Sequence, residues 1–217
     1  AIDNRLLFRQ TETTLDQIER LYAASRIINR AQTAAELVQA AASATKDPGL
    51  QFELGLLEGQ LDSTGWPTRI HKVACWQFGQ VHEEDSYETW SVPFDSPMRH
   101  REPQVMLDPN ADLPFTAMFP MFSANQPIAV LYLYSATMQE LSEDDYEIYQ
   151  ALTGQMSTML ENRRLLDQTA QALDETRRLY TASRAITSAP DLHAVYRATA
   201  EHLSHSADQI SRVAVLL

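Results

Sequence analysis

The residues able to do chemistry are few and dispersed. One cysteine, Cys75, is present, which excludes an internal disulfide framework and fits a reducing compartment, so the chain reads as cytoplasmic. Cys75 lies in the strand-like run Ala74-Cys75-Trp76, where a buried cysteine behaves as a small hydrophobe. His71, His82 and His100 are scattered through the middle. One of them could be an axial haem ligand; a surface or hydrogen-bonded histidine is the alternative. His202 and His205 are one helical turn apart, a spacing that suits a metal, but no third ligand stands near them and a solvated helix face accounts for them too. No Ser–His–Asp arrangement, Gly-rich phosphate loop or acidic metal cluster is present, so the sequence reads as no enzyme, with no identifiable cofactor or metal. Trp76, Trp90, Met98, Met106, Met118 and Met121 could line an apolar pocket or simply fill a core. The formal net charge of −12 repels phosphate backbones and anionic lipid, against nucleic-acid and membrane partners.

These residues must be positioned by a core, and a hydrophobic fraction of 44% is enough to build one. Leu7, Leu15, Ile18 and Tyr22 space an apolar stripe along a helix over about 3–30, and a second helix covers about 34–45 until Asp47-Pro48-Gly49 stops it. Residues 51–61 and 70–78 read as strands around the turn Ser63-Thr64-Gly65-Trp66-Pro67. The acidic stretch 79–102 lacks periodicity and reads as connecting loop with a short helix near 97–101. Strands follow at 104–107, 116–123 and 128–135, the last two joined by Ala124-Asn125-Gln126-Pro127. The final strand is apolar on both faces, which predicts a sheet covered on both sides. Leu141-Ser142-Glu143-Asp144-Asp145 carries a helix-start signature, and from Tyr146 to Ser188 only Gly154 weakens one long helix. No apolar run reaches the roughly 18–20 residues of a spanning helix.

The opening of the chain returns near its end. Asn4-Arg5 recurs as Asn162-Arg163 and Arg20-Leu21-Tyr22 as Arg178-Leu179-Tyr180, in both cases 158 positions later. A period of that length is a domain, so the chain reads as one module and the start of another. It opens at Ala1 without a methionine and closes on the apolar run 212–217, ends that read as cut from a longer protein. Within the long helix, Leu152, Met159, Leu166, Leu173 and Tyr180 fall seven apart, with small or polar companions at Gln155, Asn162, Thr169, Thr176 and Ser183. That spacing predicts a supercoiled partner helix with a weak, adjustable seam, in a parallel homodimer. Leu15 and Tyr22 hold the equivalent places at the front.

The order of elements, with three local motifs, resembles the GAF domain. Met118–Leu133, containing Pro127-Ile128-Ala129-Val130-Leu131, looks like that family's closing hairpin with its "P-I-G-V-L" segment, Ala129 standing where glycine is usual. Leu141–Asp145 looks like its "F-S-E-E-D" helix start, and Gln155–Asn162 like its "Q-x-x-x-A-L-E-N" exit helix. The resemblance implies an α+β fold: an antiparallel sheet with helices packed on one face, flanked by long N- and C-terminal signalling helices. It divides the chain into a linker helix (1–31), a GAF domain (32–162), a linker helix continuous with the last domain helix (163–188) and the truncated start of a second GAF-like repeat (189–217). Tandem GAF domains of this kind occur in sensor histidine kinases and cyclases, which implies a non-catalytic sensory and dimerisation module relaying to a downstream effector. The alternative is a small-molecule sensor, for haem or another metabolite, with its pocket between the sheet and residues 79–114; Trp76, Trp90, Met98, His100 and Met118 are the pocket candidates. The cyclic-nucleotide signature of the family has no counterpart around Lys72, and Cys75 lacks the adjacent histidine of the bilin-binding members. The methionine sulfoxide reductases of the family need a nucleophilic and a resolving cysteine, whereas this chain has one. The dimer seam is predicted at Leu15, Tyr22, Leu152, Met159, Leu166, Leu173 and Tyr180.

Overall fold

Alternation of apolar residues in the middle of the chain builds six strands, because successive side chains point to opposite faces. They are β1 (Gln51–Leu61), β2 (Pro67–Gln77), β3 (Gln80–Thr89), β4 (Gln104–Leu107), β5 (Phe115–Ser123) and β6 (Gln126–Ser135). They form one antiparallel sheet in the order β3-β2-β1-β6-β5-β4. The helices are α1 (Ile2–Ile28), α2 (Ala34–Ser43) and α3 (Glu143–Thr187), with a single 3-10 turn at Pro97–His100. These observations come from a computed structural model that describes residues 2–188 with 191, 193 and 195, the side chains of 2–10 and 13 excepted. The chain divides into two units, Ala1–Glu161 and Asn162–Leu217.

The main departure from expectation is β3, which replaces a loop. Phe78 (φ 52°) and Gly79 (φ 81°) make the two-residue turn that left-handed backbone favours in a hairpin. The strand after it is polar on both faces, the composition of a solvated edge strand that resists pairing with other chains. Thr33 caps α2, its hydroxyl accepting from the Glu36 amide while Glu36 accepts from the Thr33 amide. At α3 the Ser142 hydroxyl accepts from the Asp145 amide at 3.1 Å.

The first unit has two apolar layers. On one face of the sheet, Phe52, Leu54, Ala74, Phe119, Leu131 and Leu133 pack against Leu37 and Val38 of α2 and Ile148, Tyr149, Leu152 and Met156 of α3. The Tyr149 ring sits between Phe52 (5.6 Å) and Phe119 (5.9 Å). Each such buried side chain contributes about 1.5–3 kcal/mol. Arg20 of α1 ties the three helices together. Its Nε donates to the Ala44 carbonyl at 2.6 Å, where α2 ends, and its guanidinium pairs with Asp145 in the first turn of α3. On the opposite face Leu57, Trp66, Ile70, Val92, Met98, Met118, Val130 and Tyr132 form a second buried cluster. Among the described residues no helix is long and apolar enough to cross a membrane.

Candidate functional site

The face of the sheet turned away from the helices carries the most unusual electrostatics. Glu53 interrupts the run Phe52–Leu57 of β1 and points to this face, opposite Cys75 of β2 and Tyr132 of β6. A bulge in β2 at Val73 breaks the alternation, so that Lys72 and Cys75 both turn toward the same side; re-aiming a side chain in this way is the usual effect of a bulge. Lys72 Nζ stands 3.3 Å from Glu53 Oε1 and 2.9 Å from Glu88 Oε1. Burial pushes the Glu53 carboxyl above its ordinary range, and the Lys72 charge offsets this only in part. Burial also pulls Lys72 down, but its bond to Glu88 and the charge of Glu53 outweigh that and leave it raised. The Cys75 thiol is raised by burial and then by the charges of Glu84 and Glu53, so it is a poor thiolate. Tyr132 and Tyr134 stack at 5.6 Å, and Trp90 meets Tyr132 edge-on at 6.0 Å.

Two polar atoms here are incompletely satisfied. Trp90 Nε1 is buried without a hydrogen-bond partner, and Glu53 Oε1 is buried with only the Lys72 ion pair at 3.3 Å beside it. A buried polar atom without a partner costs roughly 1–3 kcal/mol. The arrangement can therefore accept a hydrogen bond at Glu53 and donate one at Trp90. The covering segment is fixed by Arg99, which donates to the carbonyls of Val92 and Pro93 and to the Thr64 hydroxyl and lies over the Trp66 ring at 5.8 Å. The Asp62 carboxyl in that turn is held below its ordinary range, first by the Thr64 hydroxyl and then by the Trp66 amide.

Of the five pocket candidates, Trp90, Met98 and Met118 come together on this face. Trp76 does not: it packs at the margin of the helix-side layer. His100 is exposed at the end of the 3-10 turn. His71 stacks on Tyr87 at 4.1 Å, its Nε2 2.8 Å from Asp85 and its Nδ1 3.6 Å from Glu58. Sequence reading missed Glu53, Glu88 and the tyrosine pair. The available signal was an acid inside the apolar run Phe52–Leu57 of one strand and a lone lysine in its neighbour. Clefts also lie between β5 and α3 (about 270 Å³, with Arg101, Phe122, Gln150 and Glu161) and between α1 and α2 (about 380 Å³, with Arg26, Ile27, Arg30 and Gln39).

The seven-residue row divides along α3. Leu152 is fully buried in the helix-side layer and Met159 packs against it, so Leu152 belongs to the domain's own core rather than to a seam, a correction that follows from the sheet facing it. Leu166, Leu173 and Tyr180 are exposed, as are Leu15 and Tyr22, over a range from 56% at Leu15 to 71% at Leu166. The expected second repeat, including His202, His205 and the apolar run 212–217, lies outside the described residues, apart from Asp191, His193 and Val195.

No protein-family model matches the chain, and no curated protein matches it. Solved structures do. The GAF domain of a Pseudomonas syringae pv. tomato protein named a candidate sensor histidine kinase is similar at 18% identity and a TM-score of 0.54, over 76% of this chain and 99% of that one. The GAF domain of an Acinetobacter phosphoenolpyruvate-protein phosphotransferase is similar at 17% identity and a TM-score of 0.52, over 69% and 95%. Free methionine-R-sulfoxide reductase from Neisseria meningitidis also matches, at 15% identity and a TM-score of 0.47, over 71% and 93%. That enzyme corrects the expectation that the chain is not an enzyme. A fold by itself gives no ground for excluding catalysis. Sheet order, helix placement and the likeness to the first two structures agree on one conclusion: the chain has the GAF fold.

Proposed function

We propose that the chain is a sensory or regulatory module that pairs in parallel with a second copy through α1 and the C-terminal half of α3, and relays a change along α3 to a downstream effector such as a kinase. The observation that carries this is the fate of one seven-residue row. Where the domain's sheet faces it, the row is core; beyond Asn162 the same spacing continues through Leu166, Leu173 and Tyr180, all of them exposed. Large apolar residues kept at heptad spacing along an otherwise polar helix are stabilised by a partner helix. The polar companion row (Asn162, Thr169, Thr176, Ser183) lowers the cost of changing register, which a relay requires. Sedimentation equilibrium tests it. A dimer that Leu173→Glu dissociates is expected, and a monomer at high concentration refutes the reading.

A second reading is favoured by a specific observation, the buried Trp90 Nε1 without a partner and the buried Glu53 Oε1 held by the Lys72 ion pair alone, beside the tyrosine pair. A small molecule seated between the sheet and residues 79–114 would satisfy both atoms and bias the seam. A thermal-shift screen with haem, nucleotides, flavins and small amines tests it, because a ligand specific to the folded state raises the melting temperature. A shift that Glu53→Gln abolishes supports it. The same shift in the Glu53→Gln variant places the ligand elsewhere. The acidic charge leaves nucleic acid and anionic membrane as poor partners for either reading.

A further inference from the structure

The cleft between β5 and α3 takes no part in the seam or the far-face cluster, yet it is built like a binding site. β4 pairs with β5 only as far as Met118, so the edge of β5 from Phe119 onward is open beside α3. Gly154 stands on the α3 side of the cleft, in the middle of the helix. A Cβ there would meet nothing within 4 Å, so no neighbouring atom requires glycine, and alanine would favour the helix. What the missing side chain preserves is the open volume. Each threonine of α3 turns its hydroxyl back onto a helix carbonyl, as Thr153 does to Tyr149 at 2.8 Å and Thr158 to Gly154 at 3.2 Å. That is a common resort of a hydroxyl inside a helix. Ser157 lines the cleft and is only 8% exposed, but its hydroxyl forms no hydrogen bond among the described residues. A polar group so enclosed calls for a partner.

Two opposite charges line the same cleft. Arg101 donates to the Ala124 carbonyl at 3.0 Å and to Asn125 Oδ1, and Glu161 accepts from the Ser123 hydroxyl. Both are thus tied to consecutive residues of one turn. Among the described residues neither has an ion-pair partner, and they do not pair with each other. Arg101 sits in left-handed backbone (φ 67°), where glycine would be the relaxed choice. Its guanidinium lies over the Phe122 ring at 5.2 Å, which fixes its plane while leaving donors of the fork unused.

We propose that this cleft binds a free α-amino acid with an apolar side chain. The carboxylate takes the unused donors of Arg101, and the ammonium bonds to Glu161. These two ligand groups stand on one carbon, as the two protein charges stand on one turn. Ser157, one helical turn before Glu161, supplies a second acceptor for the ammonium. The ligand side chain lies against Pro120 and Phe122, over the space that Gly154 leaves open. At about 270 Å³ the cleft falls just below the roughly 300–1,000 Å³ of sites for drug-sized molecules, which suits a single amino acid and is too small for a nucleotide or haem.

Isothermal titration calorimetry on the 217-residue chain tests this with leucine and phenylalanine, and with 3-phenylpropionate and phenethylamine, which keep the ring but carry one charge each. Saturable binding of leucine or phenylalanine is expected. Each single-charge analogue should bind at least about tenfold more weakly, the effect of one lost charge-assisted hydrogen bond. Gly154→Leu is expected to abolish binding by filling the cleft, with an unchanged or higher melting temperature, because leucine favours the helix. Arg101→Gln and Glu161→Gln should each weaken binding by about tenfold or more. Glu53→Gln, on the far face, should leave it unchanged, which separates this site from a ligand seated there. No saturable binding of either amino acid at millimolar concentration overturns the proposal. So does binding that survives Gly154→Leu, or that 3-phenylpropionate or phenethylamine matches. Binding lost in Glu53→Gln and kept in Gly154→Leu assigns the ligand to the far face and overturns it as well.

Discussion

Gly55 of β1 offers a direct test of how the far face of the sheet is filled. A Cβ built there lies 2.5 Å from Ile70 Cγ1, closer still to Ile70 Cδ1, and 3.8 Å from Tyr132 Cε2. Ile70 is 1% exposed and enclosed by the far-face cluster, so it has nowhere to retreat if that layer is dense. Gly55→Ala should therefore incur the overpacking penalty of about 1–3 kcal/mol. Offsetting this is the entropy that alanine removes from the unfolded chain, about 0.4–1 kcal/mol. A net loss of about 1–2 kcal/mol remains, equivalent to roughly 2–8 °C at 2–4 °C per kcal/mol for a chain of this size. Urea unfolding followed by tryptophan fluorescence, with Trp66 and Trp90 in this layer, measures it. Ile70→Val removes the Cδ1 atom of the closest contact and alone costs about 0.5–1.5 kcal/mol. The double variant should be more stable than the sum of the singles by about 1 kcal/mol, because the residues touch. Additive effects, or a Gly55→Ala variant as stable as the parent, would mean that Ile70 moves into free space. The far face would then hold a cavity rather than a filled core, contrary to this packing argument.

Removing the lysine that sits between two acids should be costly: Lys72→Met leaves Glu53 buried without a counter-ion, a loss of about 3 kcal/mol in urea unfolding, and adding Glu53→Gln should restore most of it. The pH dependence has a definite sign. Because the folded state holds Glu53 above its ordinary pKa, the native protein takes up that proton first on acidification. Its contribution to stability is fully present below the unfolded pKa and fades as pH rises through the folded one. Glu53→Gln should therefore stabilise more at pH 7 than at pH 5, while Lys72, raised from 10.5, stays charged across that window; an equal gain at both values contradicts the assignment. Arg20→Ala should lower the melting temperature by more than Arg178→Ala, since Arg20 bonds to Ala44 and Asp145 whereas Arg178, among the described residues, holds an exposed i,i+4 pair, a kind worth about 0.3–0.5 kcal/mol.

How much was legible in the sequence differs by element for physical reasons. The hairpin of β5 and β6 and the start of α3 declare themselves because local turn and capping chemistry decides them. β3 does not: the run Val81–Thr89 carries charge on both faces, and what makes it a strand is the hydrogen-bonding edge of β2 and the Phe78-Gly79 turn. Pocket candidates chosen by residue type scattered for a similar reason. Trp76 and Cys75 are adjacent on one strand and so face opposite layers, and the bulge at Val73 cannot be seen in composition. The seam suffered from the opposite problem. Leu152 and Leu166 are indistinguishable by spacing, and only the presence of Phe52 and Phe119 over the first part of α3 makes one of them core.

That last distinction bears on how a signal could move. On β1, Glu53 faces the unsatisfied polar cluster while its neighbour Phe52 reaches through the other side of the sheet to Tyr149 of α3. A shift of β1 driven at Glu53 therefore meets α3 one turn before Leu152, on the helix that continues without a break to Thr187. Interiors packed at crystal-like density transmit such displacements instead of absorbing them. The coupling has a specific test: Phe52→Leu keeps most of the apolar volume but withdraws the ring from Tyr149. In a protein whose dimerisation responds to a far-face ligand, that substitution should reduce the response while leaving ligand affinity and basal dimerisation nearly unchanged. An unaltered response would mean that the far face and α3 communicate by another route, or that the far-face cluster serves stability alone.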